Sequence, residues 1–222
     1  MRPFVELWGM AADRLSGDAM LEAVLYDVKS PDQLAEVSDD RWLSAFSHCV
    51  FRAGFSWEVV RKKWPEHEQV FHEFDTMHCA MLGPDELEAL ARDARIIRNH
   101  ISIKAVRDNA IFIRELRSEH GDRGRALANW PETDQVGLMK VLKKQGSRLG
   151  GMSGCHALRR VGKSAYVLTR DVNNALIREG VIDKPAASQR DMLKVQTAFN
   201  TWHDQSGRPM THISQVLALS VG

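Results

Sequence analysis

Cysteine is scarce in this 222-residue chain, and its placement argues against two kinds of cross-link. Cys49, Cys79 and Cys155 are odd in number, widely spaced and not part of any CxxC pair. Such a pattern predicts neither a disulfide framework nor a cysteine-rich zinc site. His72 and His78 lie close to Cys79, but no second ligand cluster completes a four-coordinate site, so we assign them to structure. We expect a protein of the reducing cytoplasm with no metal and no cofactor.

Long apolar runs are also missing. The longest falls far short of the roughly 20 residues that a membrane helix needs, and charged residues interrupt the N-terminal segment MRPFVELWGMAADR. We therefore expect no membrane partner, signal peptide or anchor. The 30 basic and 29 acidic residues nearly cancel, to a net charge of +1. This balance excludes a uniformly positive surface but leaves local basic patches open.

Strand signals are absent as well, because alternating runs of β-branched residues do not occur. Apolar residues recur instead at three- and four-residue intervals, which is typical of amphipathic helices. The sequence predicts an all-α protein. Its length and 44% hydrophobic content allow one large domain or two small lobes. We expect a single domain over residues 1–222, and a monomer.

Capping and breaking residues predict several helix boundaries. Ser38 precedes a helix whose core face carries Trp42, Phe46, Cys49, Val50 and Ala53. Gly54 breaks that helix, Ser56 caps the next one, and Pro65 is expected to end it. Gly121 is expected to end the helix whose apolar stripe begins at Ile103. Ser188 and Gly207 are expected to bound a long C-terminal helix.

The most unusual absence is that of acidic residues between Gln135 and Arg170. Glycines crowd the middle of this run, which predicts two short helices joined by a tight hairpin. A basic run is most often a solvated helix face. In this hairpin, however, the backbone N–H groups and a helix N-terminus favour phosphate. The basic residues of the run are Lys140, Lys143, Lys144, Arg148, Arg159, Arg160, Lys163 and Arg170.

A glycine hairpin followed about twenty residues later by Asp171 resembles the helix-hairpin-helix DNA glycosylases. Within that superfamily the chain is most similar to the bacterial DNA-3-methyladenine glycosylase I family. Three segments carry the resemblance over roughly residues 40 to 175. They are AGFSWEVVRKKWPEHEQVFHEFD (53–75), DARIIRNHISIKAVRDNA (93–110) and LKKQGSRLGG (142–151).

The resemblance implies a fold and an activity. The fold would consist of two helical lobes with a groove between them, and the helix-hairpin-helix element would span about residues 135–171. The activity would be base-excision repair in the cytoplasm. Double-stranded DNA with alkylated bases would be the partner, and the N-glycosidic bond of a flipped purine such as 3-methyladenine would be hydrolysed.

The resemblance also implies roles for individual residues. Trp57 would be the stacking wall for the flipped base, with Phe55 beside it, whereas Trp42, Trp64, Trp130 and Trp202 are expected in the core. Asp171 would stabilise the cationic sugar, although it also fits a plain helix N-cap. Lys163 could instead form a covalent sugar adduct, which its place after the second helix disfavours. The residues expected to bind DNA are Lys144, Arg148, Gly150, Gly151, Met152, Ser153, Gly154 and Lys163.

The chain departs from the family pattern at three points. Cys49 stands where the family has a glutamate that recognises the excised base, and it either lines the pocket or is a small core residue. Ser153 replaces an expected second glycine of the hairpin. The cysteines and histidines of the family's zinc site are missing. Two alternatives to an active glycosylase therefore remain: a catalytically weak or inactive DNA-damage-binding protein, and a purely structural helical protein.

Overall fold

The described part of the chain folds into helices joined by short connections. The computed structural model describes residues 1–119 and 125–221, and for residues 117–119 and 125 it describes the main chain only. Two short 3-10 turns, His72–Phe74 and Glu132–Asp134, accompany the α-helices. The α-helices are α1 (Phe4–Arg14), α2 (Asp18–Val24), α3 (Pro31–Ala35), α4 (Asp39–Arg52), α5 (Trp57–Val70), α6 (Thr76–Met81), α7 (Pro84–Arg92), α8 (His100–Glu119), α9 (Arg125–Ala128), α10 (Gln135–Gln145), α11 (Met152–Val161), α12 (Arg170–Arg178), α13 (Gln189–Ser206) and α14 (Met210–Leu219).

The all-α prediction is confirmed, and so are several helix boundaries. Ser56 caps α5 by accepting from the Val59 N–H, and Ser188 caps α13 in a capping box. Gly207 ends α13 at φ 67°, a conformation that costs glycine little. The Gly121 stop lies outside the described residues.

Two boundary predictions are wrong. Pro65 does not end α5 but lies inside it, because a proline in an otherwise helical run removes only one backbone hydrogen bond and the buried aromatic face continues beyond it. Ala53, expected on the core face of α4, is exposed because the helix already ends at Arg52.

The chain divides into two compact units, each assembled from segments that are distant in sequence. The hairpin unit comprises residues Lys29–Trp130 and Leu138–Lys163. The terminal unit comprises Met1–Val28, Pro131–Gly137 and Ser164–Gly222.

Helix α4 is the centre of the hairpin unit and packs against α8, α11 and α5. Every residue of α4 from Trp42 to Phe51 is buried, which is why it lacks the polar face of a surface helix. Aromatic rings extend this core: Trp64 stacks on His67 at 5.2 Å and on Phe74 at 5.3 Å between ring centroids. Burial of these rings fixes the position of α4.

The terminal unit has its own core, in which α1 and α12 pack against α14. The Tyr166 and Phe199 rings stack at 4.3 Å between centroids. The Trp202 indole N–H donates to the Arg2 carbonyl, which ties the N-terminal segment to α13. No helix in the described residues is long and apolar enough to cross a bilayer.

Candidate functional site

The glycine-rich run forms the predicted hairpin between α10 and α11. Its turn uses left-handed backbone conformations at Arg148 (φ 63°) and Gly151 (φ 61°). Gly151 is the N-cap of α11 and provides no side-chain cap, so the first N–H groups of the helix are left for another acceptor. The side chains of Lys144 and Arg148 are exposed beside this end. The element therefore combines a helix N-terminus with two available cations.

The hairpin is anchored to α8 by a buried side chain that no sequence motif marked. Asn109 of α8 is fully buried, and its amide donates to the Ser147 carbonyl at 3.0 Å. Its side-chain oxygen accepts from the Ser147 N–H at 2.7 Å. An asparagine amid apolar helix positions was the available signal, because a buried amide needs partners.

The close backbone approach in this hairpin occurs at Gly154. A Cβ at Gly154 would lie 2.3 Å from the Leu149 carbonyl oxygen and 2.8 Å from the Met139 methyl group, so only glycine fits. Ser153, where the superfamily pattern led us to expect glycine, is accommodated as an ordinary helical residue of α11. The position in this hairpin that accepts only glycine is therefore Gly154, one residue after Ser153.

An open cavity of about 320 Å³ lies beside the hairpin in the same unit. The hairpin contributes one wall, and the end of α4 and the start of α8 contribute the others. Its lining residues are Val50, Ala53, Asn99, Ile101, Ser102, Arg148, Gly150 and Ser153.

Trp57 is an exception among the tryptophans. It is the first residue of α5 and 57% exposed, with neighbouring Phe55 42% exposed. Trp42, Trp64 and Trp202 are buried as expected, whereas Trp130 is half-buried. The Arg61 guanidinium lies over the Trp57 ring at 4.9 Å from its centroid. Trp57 thus presents a large aromatic surface that the hairpin unit does not use for packing.

Cys49 is buried in α4, which agrees with the core alternative. Burial raises the pKa of its thiol to about 11, although Arg160 and Arg52 oppose that shift. The group is therefore a neutral thiol at physiological pH and cannot replace a carboxylate as a hydrogen-bond acceptor. Phe55 and Trp57 are exposed while Cys49 is buried, so the three predicted base-binding residues differ sharply in accessibility.

Lys163 does not fit its predicted DNA contact. Its side chain is buried, and its ammonium donates to the carbonyls of Ala128 and Trp130, at 2.9 Å each. Withdrawing the ammonium from these acceptors would leave polar groups unsatisfied in the core. The sequence could not reveal this, because α9 is distant in the chain. We therefore omit Lys163 from the proposed interface.

Asp171 lies in the terminal unit, in the first turn of α12. Its side chain is exposed. The N-cap of α12 is Thr169, whose hydroxyl accepts from the Val172 N–H at 3.3 Å. The plain N-cap interpretation of Asp171 is therefore wrong, because the cap lies two residues earlier.

The middle of the chain matches a known family. Residues 35–137 match the methyladenine glycosylase family model. DNA-3-methyladenine glycosylase 1 of Escherichia coli (strain K12) is 27% identical over 125 residues, covering 48% of this chain and 66% of the relative. Over these residues the chain is similar to the methyladenine glycosylases.

Two solved structures share the fold of this chain. One is a variant of 3-methyladenine DNA glycosylase I in complex with 3-methyladenine. It has a TM-score of 0.50 at 12% identity, over 69% of this chain and 91% of that one. The other is the 8-oxoguanine DNA glycosylase of Thermotoga maritima. It has a TM-score of 0.53 at 18% identity, over 96% of this chain and 93% of that one. The family match ends before the hairpin and Asp171.

The residues present do not fit the zinc site of the family that the sequence resembles. Within the described ranges, no group of three or more histidine, cysteine, aspartate or glutamate side chains is placed to hold a metal ion. His72 and His78 lie in contact, at 3.9 Å between ring centroids, and Cys79 donates to the Phe71 carbonyl. The terminal unit is instead joined by the apolar core around Trp202.

Proposed function

We propose that this protein is a DNA glycosylase that removes alkylated purines, such as 3-methyladenine, from double-stranded DNA. The observation that carries the proposal is the hairpin, with its uncapped α11 N-terminus and the exposed cations Lys144 and Arg148. The N–H groups and the helix dipole bind a phosphate, and the two side chains neutralise its neighbours. The match of residues 35–137 to methyladenine glycosylases supports the same conclusion.

The exposed aromatic residues before and at the start of α5 suit a base that has left the duplex. A flipped purine stacks on Trp57, while Phe55 offers a second apolar contact. Stacking of this kind contributes about 1–3 kcal/mol per base and tolerates different bases. It therefore supplies affinity, and selectivity must come from polar groups around the base.

Asp171 supplies the charge that the reaction needs. As the C1′–N9 bond breaks, its electron pair goes to the purine and leaves the sugar as an oxocarbenium ion. The carboxylate stabilises this cation, and water then adds to C1′ and gives up a proton to the carboxylate. A purine alkylated at N3 is cationic in DNA and leaves as a neutral base, so no general acid is required.

Release of free bases from methylated DNA, followed by chromatography, tests the proposal directly. We expect alkylated purines to appear in proportion to enzyme and time. Intact substrate after prolonged incubation with folded protein would contradict a glycosylase.

A second candidate is a protein that binds damaged DNA but has lost most of its catalytic activity. The observation in its favour is Cys49, a buried neutral thiol at the family's glutamate position. Tight binding to abasic DNA without base release would establish this alternative. Absence of both activities would leave a structural helical protein.

Reversing one charge of the hairpin should weaken DNA binding selectively. We expect Arg148→Glu to lower duplex affinity and to reduce the slope of log affinity against log salt by about one unit, because one phosphate contact is lost. Fluorescence anisotropy at several salt concentrations measures both quantities. Arg92→Glu, at an exposed position of α7, is the charge-matched control. Equal effects of the two variants would indicate a diffuse electrostatic response and no hairpin contact.

Gly151→Glu is a poor probe of the hairpin, because the backbone φ of 61° at Gly151 would strain any side chain there.

Removing the exposed indole should affect lesion binding and spare stability. We expect Trp57→Ala to cost about 1–3 kcal/mol in affinity for DNA with an extrahelical base, through loss of stacking. Because Trp57 is 57% exposed, the melting temperature of the Trp57→Ala variant should stay close to that of wild type. Trp42→Ala, in the core, should instead unfold the protein. Unchanged lesion affinity in a folded Trp57→Ala would place the base elsewhere.

A further inference from the structure

The cavity beside the hairpin, from here on the hairpin cavity, is bordered by the N-terminal ends of two helices. Asn99, Ile101 and Ser102 line it from the start of α8, and Gly150 and Ser153 line it from the start of α11. The two helices are 20 and 10 residues long, so each carries partial positive charge at this end. Two positive helix ends therefore face one cavity.

Backbone donors remain open at both of these helix ends. At α8, the Asn99 side-chain oxygen accepts from the Ser102 N–H at 3.1 Å. The N–H groups of His100 and Ile101 have no partner within the helix, because the first turn of an α-helix offers them no carbonyl. At α11, Gly151 supplies no side-chain cap. A ligand in the hairpin cavity is therefore met by N–H groups of two helices.

Ser102 is the residue that calls for a ligand. It is buried, with 4% of its surface exposed, and it lines the hairpin cavity. Within residues 1–119 and 125–221, its hydroxyl has no hydrogen-bond partner. Other helical hydroxyls bond to a carbonyl four residues earlier, as Thr197 does to Leu193 at 3.0 Å. Buried hydroxyls are ordinarily paired, so the Ser102 hydroxyl is suited to donate to an acceptor that enters the cavity.

The charges around the hairpin cavity favour an anion. Arg148 lines it, and none of the described residues that line it is acidic. The C-terminal end of α4, where Ala53 is the C-cap, contributes one negative dipole end. Two positive helix ends and a guanidinium outweigh it. Phosphate, which accepts several hydrogen bonds at once, fits these donors.

The apolar part of the cavity wall indicates which kind of phosphate binds. Val50 and Ala53 line it from the end of α4, and Ile101, which is 57% exposed, lines it from α8. Inorganic phosphate has no apolar surface to place against these side chains. A phosphodiester carries a sugar on each side of the phosphate, and the sugar C–H groups can pack against them. The wall therefore favours a nucleic-acid backbone over a free anion.

We propose that the hairpin cavity binds a phosphodiester group of a DNA strand between the N-terminal ends of α8 and α11. The Ser102 hydroxyl and the Asn99 side-chain N–H group donate to its oxygens, and Arg148 neutralises its charge. The inference rests on the proposed function and extends its DNA interface from the hairpin to α8.

Ser102→Ala tests the hydroxyl contact. We expect affinity for an undamaged duplex to fall by about 10-fold or more, because a hydrogen bond to a charged group is lost. The slope of log affinity against log salt should stay unchanged, because no charge is removed. The melting temperature should not fall, since the hydroxyl has no partner in the free protein. Ser47→Ala is the matched control, because the Ser47 hydroxyl is also buried and unpaired but does not line the cavity.

Asn99→Asp tests the same cavity with a charge. Aspartate caps a helix about as well as asparagine, so α8 should remain folded. Its carboxylate repels a phosphate, so duplex affinity should fall. Gln69→Glu adds the same charge at an exposed position of α5 and should leave affinity close to that of wild type.

Inorganic phosphate provides the test of a free anion. At matched ionic strength, the melting temperatures of wild type and Ser102→Ala should be the same in phosphate as in chloride. If phosphate raises the melting temperature of wild type alone, and Ser102→Ala binds DNA as wild type does, the cavity takes free phosphate and the inference is wrong.

The binding data separate failure of this inference from failure of the proposed function. If no base is released from methylated DNA, but Ser102→Ala and Asn99→Asp weaken duplex binding relative to their controls, only the glycosylase proposal fails. If wild type releases bases and both variants bind duplex DNA as well as Ser47→Ala and Gln69→Glu do, no strand enters the hairpin cavity and the inference is overturned.

Discussion

We expect Asp171→Asn to lower the rate of base release by about 10²-fold or more on a substrate with an uncharged leaving group, such as hypoxanthine in DNA. The substitution removes the negative charge that stabilises the oxocarbenium ion and leaves the side chain's size unchanged. The loss should be smaller for 3-methyladenine, because that base is cationic before the bond breaks. Single-turnover release from labelled duplexes, with DNA affinity measured in parallel, reports the effect.

The structure shows that Asp171→Asn tests the charge without removing a helix cap. Thr169 caps α12, so Asp171→Asn removes no cap. The first-turn carboxylate contributes about 0.3–1 kcal/mol through the helix dipole, which limits the stability loss. Asp183→Asn, at an exposed position of the same unit, removes one negative charge as a control. Release rates equal to wild type on every substrate would reduce Asp171 to a helix-terminus charge.

We expect the hairpin unit to lose stability steeply in mild acid, because two histidines are buried in its core. Burial, with Arg160, Arg52 and His67 nearby, lowers the pKa of His48 to about 3. Burial also lowers the pKa of His67, whose Nε2 accepts from the Ile97 N–H at 3.2 Å. Its Nδ1–H then donates to the Lys63 carbonyl at 2.7 Å. Both rings are therefore neutral in the folded protein.

The direction of this pH dependence follows from which state, folded or unfolded, binds the protons. Below the unfolded-state pKa of about 6.5, the unfolded chain takes up protons that the folded chain refuses. Above that pH, protonation of these histidines therefore does not reduce the free energy of unfolding. As the pH falls toward the folded-state pKa values, the free energy of unfolding declines, by up to about 1.4 kcal/mol per pH unit for His48. His67 adds a decline in the same direction. Urea unfolding at pH 7, 6 and 5 measures the slope.

His67→Gln isolates one of the two contributions. The glutamine carbonyl can still accept from Ile97 but does not titrate in this range. The unfolding free energy of this variant should therefore depend less steeply on pH than that of wild type, below the unfolded-state pKa of about 6.5. A slope identical to that of wild type would show that His67 is protonated in the folded state or plays no part in acid unfolding.

Residue patterns in the sequence were enough to predict the helical fold and the local form of the hairpin. Helix periodicity, Ser56, Ser188 and Gly207 act over a few residues, so their consequences can be read directly along the chain. The run of glycines at residues 150–154 predicted the turn before α11 for the same reason. Pro65 shows the limit of such rules, because burial of aromatic rings on both sides of it outweighs its local penalty.

Tertiary contacts determine which side chains are available in the candidate site. Lys163 looked like a DNA-binding cation until the carbonyls of Ala128 and Trp130 enclosed it. Arg160, one more base of the same acid-free run, lines a cavity because α11 packs against α4. Charge and residue type are properties of the sequence, but desolvation and partners arise only from packing. The sequence determined the helices and the hairpin of this protein, and the tertiary structure decided which of its cations remain available to a ligand.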